Sequence, residues 1–438
     1  LNLTEEGISF ISHNLGKKIN VPKEVTRLGG IHYVGHLSGR GDRLSSKGRL
    51  ETGAGNADIQ LSKNGKNIQA KIATKGIALD RILANKTFGQ VATTIEVKGN
   101  KDHLVAKGEI SCFDYNKYSF RNIRLDGQYN HGIVKGLASI DDPNIRVDIE
   151  GNYAIKGNKY AINTHIDHLQ PSILGVKMAD KDYSLDDIDL SANNQSSDSY
   201  LDLEAPFMSL HARGQYNLST LVSSIQNMIA EKLPTLPGIK KTKAKGDNDF
   251  TLQGNIYSTE VLNKILGIPL AISSPIHING NISEQSNELN LYLSAPLFSY
   301  NGKPFHNGNV ELTTLDNALN LEARITQGMP YEKAPEIKLK AAAADNVLST
   351  LLNYNNHSSK LPLSGLLNAD TRFSKNEQGQ LTIQTSVKPS SLMLGDTQWD
   401  VKASTVEYHK NHLTVDNFVV KHDKQHVIIN GMATPNKE

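Results

Sequence analysis

The feature that most restricts the fold of this chain is an alternation of apolar and polar residues with a period of two, recurring from one end to the other. It is plain in IRLDGQY (123–129), IRVDIEGNY (145–153), LNLYLSA (289–295), LNLEARI (319–325) and IKLKA (337–341), where odd-numbered residues are apolar or small and even-numbered ones mostly polar. Successive side chains of an extended chain point to opposite faces, so each stretch predicts a strand that is wet on one side. IHINGNISEQSNELNLYLSAP (276–296) sets two such stretches about a short polar turn, the pattern of a β-hairpin. Half-wet strands joined in this way are most simply antiparallel, and the chain is expected to be mainly β.

Glycine falls repeatedly on the apolar face, two residues after an aliphatic one. The pairs are Leu125 and Gly127, Ile149 and Gly151, Leu252 and Gly254, Ile278 and Gly280, and Ile429 and Gly431. Glycine weakens a strand interior unless geometry needs the missing side chain. A sheet bent toward its apolar side crowds the side chains there, and glycine relieves the crowding. These pairs predict strands that curl around their apolar face. In VKGN (97–100) a turn is the better reading, whereas in IHINGNIS the alternation runs through Gly280 to Ile282 and predicts a glycine within the strand.

Short helical patterns interrupt the strands. IALDRILANKTFG (77–89), STEVLNKILG (258–267), AADNVLSTLLN (343–353) and, more weakly, DHLQPSILG (167–175) carry apolar residues at three- and four-residue spacing. Their markers Leu83, Leu174, Leu266 and Leu352 lie 91, 92 and 86 residues apart, which predicts a repeat of about 90 residues. LDLEAPFMSL (201–210) and LYLSAPLFSY (291–300) share five of ten residues at an offset of 90, and FDYNKYSF (113–120) matches FSYNGKPF (298–305) at an offset of 185. Units of 1–86, 87–176, 177–267, 268–353 and 354–438 are expected to form one continuous, elongated array in which each meets only its neighbours. NLSTLVSSIQNMIAEKLP (217–234) departs from the pattern, placing Leu218, Leu221, Val222, Ile225, Met228, Ile229 and Leu233 on one stripe. It predicts an amphipathic helix over 217–233, serving either as a cap on the sheet or as a lid or a surface for a partner or lipid.

Lysine and arginine number 47 against 45 aspartates and glutamates, a balance that gives no electrostatic basis for binding nucleic acid or an anionic membrane. The one local cluster, Lys240, Lys241, Lys243 and Lys245, follows Pro234 and Pro237 and reads as a solvated loop. Cys112 is the only cysteine, so neither an intrachain disulfide nor a thiolate metal site can form. No run approaches the roughly 18 apolar residues that a membrane-spanning helix needs. The chain starts at Leu1, without an initiator methionine or a signal-peptide pattern, and is expected to be an interior piece of a longer protein or a processed form.

The apolar face is mainly Ile, Leu, Val, Ala and Gly, with one tryptophan in the chain and 6% aromatic residues. Such a lining suits an acyl chain or a closed core, and lacks the converging donors and acceptors of a polar-ligand site. There is no Gly-x-Ser-x-Gly, no phosphate-binding glycine-rich loop and no His-Glu-x-x-His. His409, His412, His422 and His426 come closest to a cluster, but their strand pattern spreads them along a face, and no metal site is expected. The acidic pairs Asp141 and Asp142, before Pro143, and Asp186 and Asp187 fit turn chemistry. GRGD (39–42) contains the adhesion tripeptide, and its context predicts a hairpin turn.

LGGIHYVGHLSG (28–39), ASIDDPNIRVDIEGNY (138–153) and WDVKASTVEYHKNHLTVDNFVVKHDKQHVIINGMA (399–433) resemble the interior repeats of TamB-type translocation and assembly proteins. These belong to the AsmA-like group of bridge-like lipid-transfer proteins, and the likeness is greatest to the long forms of Bacteroidota. It covers essentially the whole chain and lies in the order and number of loose motifs. It implies a β-taco: a long, strongly bent antiparallel sheet around a hydrophobic groove, crossing the periplasm from an inner-membrane anchor toward an outer-membrane barrel of the TamA or BamA type. Family roles include outer-membrane protein assembly and phospholipid transport between the two membranes. The N-terminal anchor and the C-terminal domain of the family do not appear in this sequence.

The expectation is therefore a non-enzymatic scaffold, without cofactor or metal, that shields phospholipid acyl chains along its apolar face. Ile123, Leu125, Val147, Ile149, Ile276, Ile278, Ile282, Leu291 and Leu293 are the groove candidates. The competing expectation is a closed-core β-repeat protein, structural or adhesin-like, whose apolar face is dry.

Overall fold

The computed structural model describes residues 2–3, 23–195, 199–243, 246–331, 333–375, 379–409 and 411–434. Most of them lie in antiparallel strands, so the chain is mainly β. They divide into two compact units. The first comprises Leu1–Gln195 with Leu203–Pro206 and Lys264–Leu266, and the second Ser196–Asp202, Phe207–Asn263 and Gly267–Glu438.

In the first unit, eleven successive strands from Ile31–Arg40 to Leu185–Asn193 each pair antiparallel with the next. The alternation is directly visible in Arg43–Thr52, whose residues switch regularly between exposed and half-buried. Tight turns join the strands and draw on residues that tolerate a left-handed backbone, such as His131 and Gly132 (φ 46° and 90°) and Gly157 and Asn158 (φ 89° and 52°). GRGD is such a turn: Arg40 pairs with Arg43, and Gly41 takes φ 58°.

The second unit repeats the meander with two forks. Met208–Gln215 pairs with Asp249–Ile256, which pairs with Ile276–Ser283. The long strand Glu288–Tyr300 then takes Ile276–Ser283 along its first half and Leu270–Ile272 at its end. Leu363–Lys375 forks likewise, between Leu381–Val387 and Ser390–Leu394. Both branches rejoin at His412–His422, which pairs with Ser404–His409 and Thr397–Val401.

The predicted amphipathic helix is present over Leu218–Lys232, with Asn217 as its N-cap and Leu233 as its C-cap before Pro234. It caps the sheet. Leu221 packs against the buried cluster of Ala212, Tyr216 and Phe250, as do Leu252 and Ile282, while Leu233 joins Ala343 and Phe373 in a second cluster against which Leu236, Leu319, Leu348 and Ile383 pack. Leu218 and Val222 of the same stripe remain exposed.

Three of the four short helical patterns form one-turn helices, at Leu79–Leu83, Pro171–Leu174 and Leu262–Leu266. The markers Leu83, Leu174 and Leu266 are the last residues of these turns, and each is followed by a left-handed cap: Ala84, Gly175 and Gly267. The fourth pattern, 343–353, is not a helix. It is the hairpin Glu336–Ala344 and Val347–Asn355, turned by Asp345 and Asn346 at φ 50° and 63°. An Asp-Asn pair supplies the left-handed turn that a helix cannot pass through, and Val347 to Leu352 then pair as a strand. Leu352 is thus not equivalent to the other three markers. The similar stretches at 201–210 and 291–300 also diverge: Pro206 and Phe207 form a turn, whereas Pro296 lies within Glu288–Tyr300.

Candidate functional site

In the first unit the apolar face is built by strands Phe88–Gly99, His103–Tyr115, Tyr118–Asn130, Ile133–Asp142, Ile145–Ala154 and Lys159–Leu169. Its side chains form rows across the strands, because each register pairs residues of one parity with residues of one parity. Ile110, Ile123, Ile140, Val147 and Ile166 make one row. The next holds Gly108, Leu125, Ala138 and Ile149, and the one after it Ala106, Gly127, Gly136, Gly151 and Ile162. A last row of Leu104, Tyr129, Val134, Tyr153 and Tyr160 borders the hairpin turns.

These rows differ in what covers them. The first is closed: Ile123 and Val147 are buried in a cluster with Phe120, Ile145 and Ile173, the last carried in by the turn Pro171–Leu174. Two residues further along the same strands, Leu125 and Ile149 are 38% and 36% exposed. They border an open cavity of about 470 Å³ whose lining includes Ile95, Ala106, Gly127, Val134, Gly136 and Ile162. Apart from Lys107, Asp126 and Asn152, the lining is apolar, glycine or tyrosine.

The glycines of this floor sit inside strands, as the alternation predicts, and none of Gly127, Gly136 and Gly151 has a positive φ. A Cβ on Gly151 would lie 2.8 Å from the Ala161 carbonyl oxygen, and one on Gly136 would lie 2.6 Å from that of Asp126. Close backbone approach requires glycine at both positions. Gly280 obeys the same rule within Ile276–Ser283, where a Cβ would meet the Asn290 carbonyl at 2.7 Å. Gly99, in VKGN, instead takes φ 136° beside the turn at 100–102.

The second unit brings its candidates onto one face as well. Ile278 pairs with Leu293, and Gly280 with Leu291, while Ile282 is opposite both Phe250 and Leu289. Ile276 is buried; Ile278, Ile282, Leu291 and Leu293 are half-buried. Ile282 lies against the cluster capped by Leu221 of the helix.

The opposite face is charged. Cross-strand pairs include Lys71 with Glu96 (2.6 Å), Lys107 with Asp126 (2.7 Å) and Lys340 with Glu322 (2.7 Å), and Lys338 pairs with Glu336 of its own strand (2.8 Å). Lys71 holds the Glu96 carboxyl below the usual carboxylate range. Burial pushes Glu336 up, but Lys338 and Arg324 outweigh it and leave the carboxyl lowered. On the first unit this face contains an open cavity of about 840 Å³ lined by Lys107, Glu109, Arg124, Asp148 and Glu150, among others. Lys107 is paired with Asp126 there, and the exposed charges around it make this face a wet surface.

The remaining sequence features serve turns and local contacts. Asp142 is buried and accepts from the backbone N–H of Arg121 and Asn144, both at 3.0 Å, and from the Tyr118 hydroxyl. His409 bonds Thr382 at 2.8 Å, and His422 Nδ1 donates to the Gln398 carbonyl at 2.8 Å; His422 and His426 lie on different strands, so their helical spacing is not realised. Among the described residues no group of three His, Cys, Asp or Glu is placed to hold a metal ion, and no helix is long and apolar enough to cross a membrane. Lys240, Lys241 and Lys243 lie in an exposed loop, and Lys245 falls outside the described residues.

The site residues that alternation did not single out are Val134, Gly136 and Ala138. Their strand, IVKGLASIDD, carries Ile133 and Leu137 on one face and Val134, Gly136, Ala138 and Ile140 on the other. Only the register against Gly127 and Gly151 assigns the second set to the groove. No known protein-family model matches this chain, and no protein of curated function is similar to it in sequence.

Proposed function

We propose that this chain is a non-enzymatic scaffold of the TamB type that shields phospholipid acyl chains on its apolar face. It acts in the periplasm, in lipid transport between inner and outer membranes or in outer-membrane protein assembly. Inner-membrane attachment and docking to a barrel of the TamA or BamA type belong, on this reading, to parts of a longer protein. The observation that carries it is the open groove of the first unit, where Leu125 and Ile149 stay exposed over a glycine floor with almost no polar atoms. Leaving such side chains in water forgoes about 0.8 kcal/mol per methylene that an acyl chain would recover.

Photo-crosslinking in cells tests the reading. A crosslinker at Leu125 or Ile149 is expected to capture phospholipid, and one at Arg124 or Asp148, on the charged face, is not. Equal capture on the two faces would count against it. The competing reading, a dry structural repeat, draws on the burial of Ile123, Val147 and Ile276. It predicts that purified protein carries no lipid detectable by mass spectrometry.

A further inference from the structure

We propose that the wet face of the second unit carries a binding site for an uncharged linear glycan, centred on Tyr292 and seating two linked pyranose rings. It is independent of the lipid reading above, which concerns the apolar face.

Across strands Asp249–Ile256, Ile276–Ser283 and Glu288–Tyr300 the wet face loses its charges. One cross-strand row there is Thr251, Asn281 and Asn290, the next Gln253, Asn279 and Tyr292, and the third Asn255, His277 and Ser294. None of these is an acid, a lysine or an arginine, in a chain where such residues make up 21%. The two flanking rows bond within themselves, Asn290 Nδ2 to Asn281 Oδ1 at 3.2 Å and His277 to Asn255 at 2.6 Å. In the middle row Gln253, Asn279 and Tyr292 are exposed, Tyr292 by 44%, and their side chains have no hydrogen-bond partner among the described residues. Glu311, opposite Tyr292 on the next strand, is exposed and unpaired in the same way.

Two open cavities of about 490 and 550 Å³ lie along this row and share Asn279 and Tyr292. The first reaches Glu311 and the second Gln253, so together they form one trough with a ring at its middle. From Gln253 to Tyr292 the row covers two strand spacings, about 10 Å, the length of two linked pyranose rings.

The chemistry of the trough selects its occupant. A tyrosine ring offers an apolar surface to the C–H face of a sugar and keeps a polar tip beside it. The amides of Gln253 and Asn279 both donate and accept, as vicinal hydroxyls do, and a carboxylate accepts strongly from hydroxyls. The cations on the trough walls are already engaged: Arg213 by Asp202, Lys340 by Glu322, and Arg324 and Lys338 by Glu336. The charges left over at the rim, Asp249, Glu288 and Glu311, are acidic and repel an anionic polymer. A peptide strand finds no edge to extend here, because Ile276–Ser283 is paired on both sides.

The test is ligand-observed saturation-transfer NMR on the whole chain. The probes are cellotetraose, maltotetraose and the N-acetylglucosamine tetramer, with tetragalacturonate and the deacetylated glucosamine tetramer as charged controls. At least one neutral tetramer should bind with a Kd of about 0.1–1 mM. Tyr292→Ala should weaken it at least about tenfold, and Asn279→Ala about threefold. Tyr300→Ala removes another exposed tyrosine of the same strand, outside the trough, and should leave binding unchanged. All three positions are exposed, so the variants should fold, as circular dichroism will check.

Failure of all three neutral tetramers to bind overturns the inference, and so does binding that survives Tyr292→Ala. Equal or tighter binding of either charged tetramer would show a surface driven by charge and overturn it as well. Displacement of the bound tetramer by a neutral Ser-Gly peptide would assign the trough to peptides instead. An equal loss in Tyr300→Ala would show ring contact without a site, and would also overturn it.

Discussion

The side-chain amide of Asn248 donates to the Ser224 hydroxyl at 2.9 Å, joining the approach to the Asp249–Ile256 strand to the inner side of the Leu218–Lys232 helix. The two residues are 0% and 1% exposed. The Asn248 side-chain carbonyl also accepts from the Asn217 N–H at 2.7 Å, at the helix N-cap. Removing it leaves buried partners unsatisfied, so Asn248→Ala should cost about 1–3 kcal/mol in urea unfolding. Leu218→Ala, on the exposed flank of the helix, should stay within about 0.5 kcal/mol. Equal effects of the two would show that the cap is held by other means.

Glu284 completes the same joint and makes it sensitive to acid. Its carboxylate accepts from the backbone N–H of Asn248 at 2.7 Å and of Gly246 at 3.1 Å. Burial pushes its pKa up, but the hydrogen bonds from Ser224 and these backbone groups outweigh burial and hold it below the ordinary value of 4.5. A carboxyl lowered in the folded state stabilises it fully above its unfolded pKa, and that contribution is lost as pH falls through the folded value. Thermal melts should show a stability gap between the parent and Glu284→Gln that is present at pH 6 and closes below about pH 4. A gap independent of pH would rule out the charged form as its source.

The glycine floor predicts opposite outcomes at neighbouring positions. Gly151→Ala forces a Cβ to 2.8 Å from the Ala161 carbonyl and 3.1 Å from Ile162 Cγ1, and should cost about 1–3 kcal/mol. Gly127→Ala meets nothing within 3.8 Å, and should be neutral or stabilising by up to about 1 kcal/mol through the unfolded chain. Chemical denaturation of the pair measures this, and equal costs would mean that the floor is not set by backbone approach.

Ile123 and Leu125 share a face and a strand but not an environment. Ile123→Ala should cost about 2–5 kcal/mol, the usual consequence of emptying a closed cluster. Leu125→Ala should cost well under half of that, because Leu125 is already 38% exposed. A large loss at Leu125 in denaturation would indicate that its face is covered in solution.

Much of the fold was legible along the chain. Alternation located the strands on either side of 276–296 and the faces of 123–129 and 145–153, because strand geometry converts parity directly into side. The helix over Leu218–Lys232 was legible from its stripe, its Asn217 cap and Pro234. Local patterns misled where two periods fit one segment. AADNVLSTLLN has helical spacing, and the left-handed Asp345 and Asn346 divide it into two strands. IVKGLASIDD offers an apolar residue to either face, and pairing with Gly127 and Gly151 chooses between them.

By itself, then, the sequence determined which residues share the apolar face, including Ile123, Leu125, Val147 and Ile149 in one unit and Ile276, Ile278, Ile282, Leu291 and Leu293 in the other. Parity is a local property, and neighbouring residues suffice to set it. The tertiary structure alone decided which of them are closed and which are open. Ile173 arrives from a turn well beyond the Tyr118–Asn130 strand to bury Ile123, and Leu221 arrives from a helix to close the cluster that Ile282 packs against, while among the described residues Leu125 and Ile149 stay more than a third exposed. Cover comes from segments distant in the chain, and no period within a strand records where they will land.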